Sequence, residues 1–132
     1  MQVEHIGIAV KDLAASVSLF EKLLNTHCYK IERVESENVN TAFLQSGQTK
    51  IELLESLQPD GIIAKYVERK GEGIHHIAFE VENIESEMTR LAREGFVLLN
   101  QEPKEGADNK LVCFLHPKTT NSILIELCMD KK

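Results

Sequence analysis

The stretch Val3-Glu4-His5-Ile6-Gly7-Ile8-Ala9-Val10 returns 71 positions later as Ile74-His75-His76-Ile77-Ala78-Phe79-Glu80-Val81, with His5 falling on His76. A doubled sequence constrains the fold more than any local propensity does. The same offset carries Asp12 onto Asn83, Leu13 onto Ile84, Val17 onto Met88, Phe20 onto Leu91, and Ala42-Phe43-Leu44 onto Cys113-Phe114-Leu115. Three additional residues then enter the second copy, so Ile51-Glu52-Leu53 meets Ile125-Glu126-Leu127 at an offset of 74. The two copies differ by one hairpin.

Each copy has the same expected layout. Residues 3–10 alternate and are rich in β-branched side chains, which predicts a strand. Asp12 is a good N-cap, and Leu13, Val17, Phe20 and Leu24 mark one face of the helix that it opens. Asn83 caps the matching helix, which carries Ile84, Met88 and Leu91 on its face and stops at Gly95. Three strands are expected after each helix, near 27–34, 39–44 and 50–54 in the first copy and near 96–100, 110–115 and 122–128 in the second. Between the copies, Pro59-Asp60-Gly61 opens a short helix over 62–69 that Gly71-Glu72-Gly73 ends. The expected class is α+β, built as two tandem βαβββ modules. The expected organisation is a single domain over 1–132, with module one at about 1–56, the connecting helix at about 59–71 and module two at about 72–130.

Alternation sends His5, Gly7 and Ala9 to one side of their strand and Ile6, Ile8 and Val10 to the other. The second side is the greasy one and should pack under the helix, which leaves the histidine side on the concave face of a curved sheet. His76 and Ala78 repeat the arrangement. Glu52 sits between Ile51 and Leu53, and Glu126 between Ile125 and Leu127, so each carboxylate points away from its apolar neighbours. Two imidazoles and two carboxylates form a ligand set suited to a divalent first-row metal such as Co²⁺, Mn²⁺, Ni²⁺ or Zn²⁺. A single strand histidine is more often a hydrogen-bonded structural residue, and a strand glutamate usually faces solvent. Recurrence of both types at the same places in both copies turns the balance toward a metal site of His5, Glu52, His76 and Glu126. Six-coordination would leave two positions for a bidentate substrate, whose enolate charge the ion would stabilise as a Lewis acid. His75 points the opposite way from His76 and is read as a packing or hydrogen-bonding residue rather than a ligand, and His27 and His116 are likewise not read as ligands. Lys65, Arg69, Lys70, Lys110 and Lys118 offer local positive charge for an anionic substrate, but solvated surface charge is the favoured reading.

The chain has 132 residues, 15 Lys+Arg against 21 Asp+Glu, a formal charge of −6 and 42% apolar residues. Its acidic balance, without a basic block interleaved with aromatics, argues against nucleic acid as a partner. No apolar run approaches the length of about 18 residues that a membrane span requires. Cys28, Cys113 and Cys128 form no CxxC pair and read as reduced, with Cys113 and Cys128 as small buried hydrophobes. Residues 1–5 lack a basic segment followed by an apolar one, so the expected location is cytoplasmic.

The doubled βαβββ pattern with His and Glu ligands resembles the vicinal oxygen chelate superfamily, in which two modules close around one metal. Within it, several blocks look like those of the methylmalonyl-CoA epimerase family. They are His5-Ile6-Gly7-Ile8-Ala9-Val10, Thr49-Lys50-Ile51-Glu52-Leu53-Leu54-Glu55, Gly71-Glu72-Gly73-Ile74-His75-His76, Phe114-Leu115-His116-Pro117-Lys118 and Leu124-Ile125-Glu126-Leu127-Cys128. The resemblance implies a homodimer that acts on an acyl-CoA by removing and returning the proton between thioester and carboxylate, through a metal-stabilised enolate. It implies His5, Glu52, His76 and Glu126 as metal ligands, with relatives often carrying Gln at the place of Glu52. Glu126 is implied also as one of two acid/base groups. For the second, an ungapped alignment sets Ser36 on the family's glutamate, with Glu35 and Glu37 on either side as the two candidates. The segment Thr119-Thr120-Asn121-Ser122 lacks the paired glycines that commonly follow His-Pro-Lys, so a different turn is expected there. Two rival readings share the scaffold: glyoxalase I, which isomerises a glutathione hemithioacetal, and a metal-free small-molecule-binding protein, which would usually have lost the ligand side chains.

Overall fold

The computed structural model describes residues 1–131 and divides the chain into two compact units. One unit is His5–His75. The other joins Met1–Glu4 to the chain from His76 onward.

In the first unit, β1 (Gln2–Ala9, from His5) is followed by α1 (Leu13–Leu24), β2 (Lys30–Val34), β3 (Val39–Ser46), β4 (Thr49–Ser56) and α2 (Ile62–Lys70). The sheet runs β2-β3-β4-β1, antiparallel except where β1 lies parallel to β4 with Gly7 opposite Glu52. Asp12 caps α1 by accepting from the Ala15 N–H at 3.1 Å, as its sequence position predicts. Asn25 ends the helix in the left-handed conformation, φ 53°, which asparagine tolerates better than most residues. Val10, Leu13, Ala42, Leu44 and Leu53 are buried together, with Ile8, Val17, Phe20, Leu24 and Ile51 packed against them. They join the greasy side of β1 and the apolar face of α1 to Ala42 and Leu44 of β3 and Ile51 and Leu53 of β4. Burying such a set contributes about 1.5–3 kcal/mol for each large side chain.

The second unit repeats the plan. β5 (Gly73–Glu80, from His76) precedes α3 (Ile84–Arg93), β6 (Lys104–Glu105), β7 (Lys110–Leu115) and β8 (Ile125–Asp130), in the order β5-β8-β7-β6 with β5 and β8 parallel. Asn83 caps α3 by accepting from the Ser86 N–H at 3.0 Å, and Gly95 (φ 101°) turns the chain away at its end. Val81, Ile84, Met88, Leu91, Cys113, Leu115 and Leu127 form the core under α3. Cys113 and Cys128 are both fully buried, as expected of small hydrophobes.

Two expected strands are corrected. Residues 96–100 form no strand; Leu98 makes one bridge to Leu115, and Asn100 replaces backbone pairing with its side chain, accepting from the Phe114 N–H at 3.0 Å. The short strand instead falls at β6. The strand expected over 122–128 begins only at Ile125, because Asn121 and Ser122 are both left-handed, at φ 55° and 69°. After a one-turn 3-10 helix at Pro117–Thr119, these two residues make the reversal without glycine.

Candidate functional site

Register decides which side chains share a face with the histidines that occupy corresponding places in the two copies. In the first unit, Glu52 stands beside Gly7 on one flank and Phe43 on the other. A glycine beside the carboxylate leaves room for the neighbouring imidazole, and His5 Nδ1 lies 3.1 Å from Glu52 Oε2. Both side chains are buried, at 5% exposure. In the second unit, Glu126 stands between Ala78 and Phe114, and His76 Nε2 lies 3.3 Å from Glu126 Oε1, again with both side chains buried. Each unit thus places one His–carboxylate pair on the sheet face opposite its helix.

Buried carboxylates are costly unless a cation or hydrogen bonds compensate them. The donor set consists of imidazole nitrogen and carboxylate oxygen, the ligands that divalent first-row ions prefer. Bonds of about 2.0–2.2 Å to adjacent corners of an octahedron set neighbouring ligand atoms roughly 3 Å apart. The 3.1 and 3.3 Å separations match that spacing, so each pair fits two adjacent positions on such an ion.

Around each pair the second copy repeats a feature that the sequence reading missed. Lys30 Nζ sits over the Phe43 ring, 4.7 Å from its centroid, and Lys104 Nζ sits over the Phe114 ring at 5.2 Å. Phe114 also meets the His76 imidazole edge-on, at 6.1 Å and 86°. The signal was present: Lys104 follows Lys30 by 74 positions, the offset that also relates Glu126 to Glu52. In the first unit, Thr41 lies on the same face two residues before Phe43, fully buried, and its hydroxyl has no hydrogen-bond partner among the described residues.

The remaining candidates separate cleanly. Glu35 and Glu37 lie in a 3-10 turn, Glu35–Glu37, between β2 and β3. Glu35 is solvent-exposed and paired with Arg33, while Glu37 is half-buried. His75 packs edge-on against Tyr66 at 4.9 Å, and burial pushes its pKa down to about 4, in keeping with a packing role. His27 is exposed, and His116 Nδ1 accepts from the Lys118 N–H. Lys65, Arg69, Lys70 and Lys118 are exposed as expected. Lys110 is a correction: it is buried, with its ammonium 2.5 Å from Asp130 Oδ1 and 3.7 Å from Glu4 Oε2. Nothing local in Asn109-Lys110-Leu111 announces this, since Glu4 lies at the other end of the chain. Among the described residues no helix is long and apolar enough to cross a membrane.

Residues 4–114 match the family model of the Glyoxalase/Bleomycin resistance protein/Dioxygenase superfamily. The chain belongs to this superfamily. Within it, the chain is similar over its full length to methylmalonyl-CoA epimerases. It is 39% identical over 128 residues to the ethylmalonyl-CoA/methylmalonyl-CoA epimerase of Cereibacter sphaeroides, covering 96% of each chain. It is 35% identical over 127 residues to the mitochondrial methylmalonyl-CoA epimerase of Homo sapiens, covering 96% of this chain and 72% of that one. A solved variant of the Streptomyces coelicolor methylmalonyl-CoA epimerase, in complex with 2-nitronate-propionyl-CoA, superposes with a TM-score of 0.92 at 29% identity, covering 100% of this chain and 99% of that one.

Proposed function

We propose that the chain, acting as a single domain over 1–132, interconverts (R)- and (S)-methylmalonyl-CoA, with His5, Glu52, His76 and Glu126 as the ligands of one divalent metal ion, Co²⁺, Mn²⁺, Ni²⁺ or Zn²⁺. One observation carries this reading: the same buried His–carboxylate pair, at 3.1 and 3.3 Å, occurs in each copy of the module. Similarity over the whole length to epimerases of malonyl-type thioesters supports the substrate class. The bound ion would supply Lewis-acid stabilisation of the negative charge that gathers on the thioester oxygen.

The protein's own groups move the proton. The C–H bond between thioester and carboxylate breaks as a carboxylate on one face takes the proton and the electron pair enters the thioester π system. A carboxylic acid on the other face then returns a proton to carbon, which inverts the centre. Glu126 is assigned to one face. Of the two remaining candidates, Glu35 and Glu37, we assign Glu37 to the other face; its half-buried side chain supports this, where Glu35 is exposed and engaged by Arg33. Positioned acid/base groups of this kind contribute about a hundred to ten-thousand-fold each. Phe43 and Phe114 help to exclude water from the carboxylates beside them, which favours proton transfer over hydration. A cytoplasmic homodimer completes the reading.

In deuterated water, (S)-methylmalonyl-CoA should gain label at the α carbon with the native protein. Glu126→Gln should lower the interconversion of the (S) and (R) epimers by about a hundredfold or more, the contribution expected of a positioned acid/base group, and His76→Ala should remove stoichiometric metal. Unlabelled substrate with the metal-loaded native protein, or unchanged interconversion by Glu126→Gln, would overturn the assignment.

A further inference from the structure

We propose that Lys30 and Lys104 are specificity-determining residues that recognise an anionic group of the substrate, and this rests on the epimerase reading above. Each ammonium lies over a phenylalanine ring, 4.7 Å from the centroid of Phe43 and 5.2 Å from that of Phe114. Each phenylalanine stands directly opposite the glutamate of its unit's His–Glu pair, Phe43 facing Glu52 and Phe114 facing Glu126. The positive charge is therefore held one aromatic ring away from the pair, in both units, in a chain whose net charge is −6.

Two carboxylates that share one divalent ion leave no net positive charge to attract a dianionic or polyanionic thioester, and a nearby ammonium supplies it. The ring contact keeps the lysine near the face at low cost, since cation–π attraction at such sites is modest and easily exchanged for a stronger partner. A carboxylate or phosphate is such a partner, because charge-assisted hydrogen bonds are about twice as strong as neutral ones. Lys30 also lies 3.5 Å from Glu32, which shares its charge, whereas Lys104 is on an exposed two-residue strand and is the more available of the two. Lys110, the buried lysine of the second unit, is committed to Asp130 and Glu4.

The anion is either the free carboxylate of the acyl group or the phosphates of the coenzyme A carrier. Kinetics with methylmalonyl-CoA and with the methylmalonyl thioester of N-acetylcysteamine, which has no phosphates, tell them apart. Lys104→Met should raise KM roughly tenfold or more with kcat held within about twofold, as expected for loss of one charge-assisted contact made before the chemistry. Lys104→Arg should restore KM, Lys30→Met should show a smaller effect, and Lys65→Met serves as a surface-charge control. A KM penalty on the CoA thioester alone supports the proposal with phosphate as the anion, and an equal penalty on both thioesters supports it with the carboxylate. Unchanged KM on both, or a fall in kcat alone, would overturn it. Calorimetric titration of the metal-loaded protein with coenzyme A and with free methylmalonate keeps the test independent of turnover. Weaker binding of either by Lys104→Met supports the proposal even if no thioester is epimerised, and equal binding, or binding of neither by the native protein, overturns it.

Discussion

The imidazole of His75 meets the ring of Tyr66 edge-on, centroids 4.9 Å apart and planes at 83°, while the Tyr66 hydroxyl donates to the Ile74 carbonyl at 2.7 Å. α2 is thereby fastened to the start of β5 next to the chain's double histidine. Burial of His75 lowers its pKa from 6.5 to about 4. Between those values the unfolded chain binds a proton that the folded chain does not, so stability is complete above pH 6.5 and falls as the pH drops toward 4. The loss is on the order of 2 kcal/mol, allowing for the ring's half-buried setting. Urea unfolding of the native protein and of His75→Phe between about pH 4.5 and 7.5 checks this. The variant's curve should be the flatter, and parallel curves would refute it.

Thr41→Val should stabilise the fold. The buried hydroxyl has no partner among the described residues, and an unsatisfied buried polar group costs about 1–3 kcal/mol. The corresponding position in the second copy is Val112, an apolar residue that is buried in the same way. The expected gain is about 1 kcal/mol, or a rise of a few degrees in Tm by thermal melting. A lower Tm would show that the hydroxyl has a partner in solution.

Lys110→Met should cost about 3 kcal/mol, because it leaves the buried Glu4 carboxylate without its cation. Adding Glu4→Gln should recover part of that loss, and a double-mutant cycle in urea reads the coupling. Additive losses would mean that the two groups do not act as a pair.

Thiol reactivity should be selective. Cys113 is fully buried and burial raises its pKa to about 11, against the opposing pull of the Lys104 charge. Cys128 is also fully buried, while Cys28 is half-buried. Iodoacetamide at about pH 8 should modify Cys28 first in the folded protein, with Cys113 and Cys128 reacting only on unfolding. Peptide mapping that finds Cys113 labelled in the native state would contradict this.

Much of the architecture was legible because it was written twice. Asp12 and Asn83 announce the same cap at the same offset, and both cap as expected. The His–Glu pairs were legible from strand alternation together with recurrence. Residues 96–100 misled because their apolar pattern suits a strand, while the Asn100 side chain takes over one of the pairings. The burial of Lys110 depends on Glu4, 106 positions earlier, and no window of sequence joins them. Lys30 and Lys104 escaped notice because charge at a strand end ordinarily reads as solvated surface. Only their contacts with Phe43 and Phe114 set them apart.

The substitution of Asn100 for regular pairing also bears on how the chain behaves in a crowd. Beyond β6, the flank of β7 is held by the Leu98 bridge, by the Asn100 amide on Phe114 and by the Leu99 N–H on the Phe114 carbonyl. Light scattering by concentrated Asn100→Ala against the native protein would detect a change, and equal scattering would exclude a role for this residue. With those peptide groups occupied on the β7 flank, and with Lys30, Glu32 and Arg33 charging β2, these two margins are poor templates for a strand of a second molecule. At both, the fold carries its own guard against growing into fibrils.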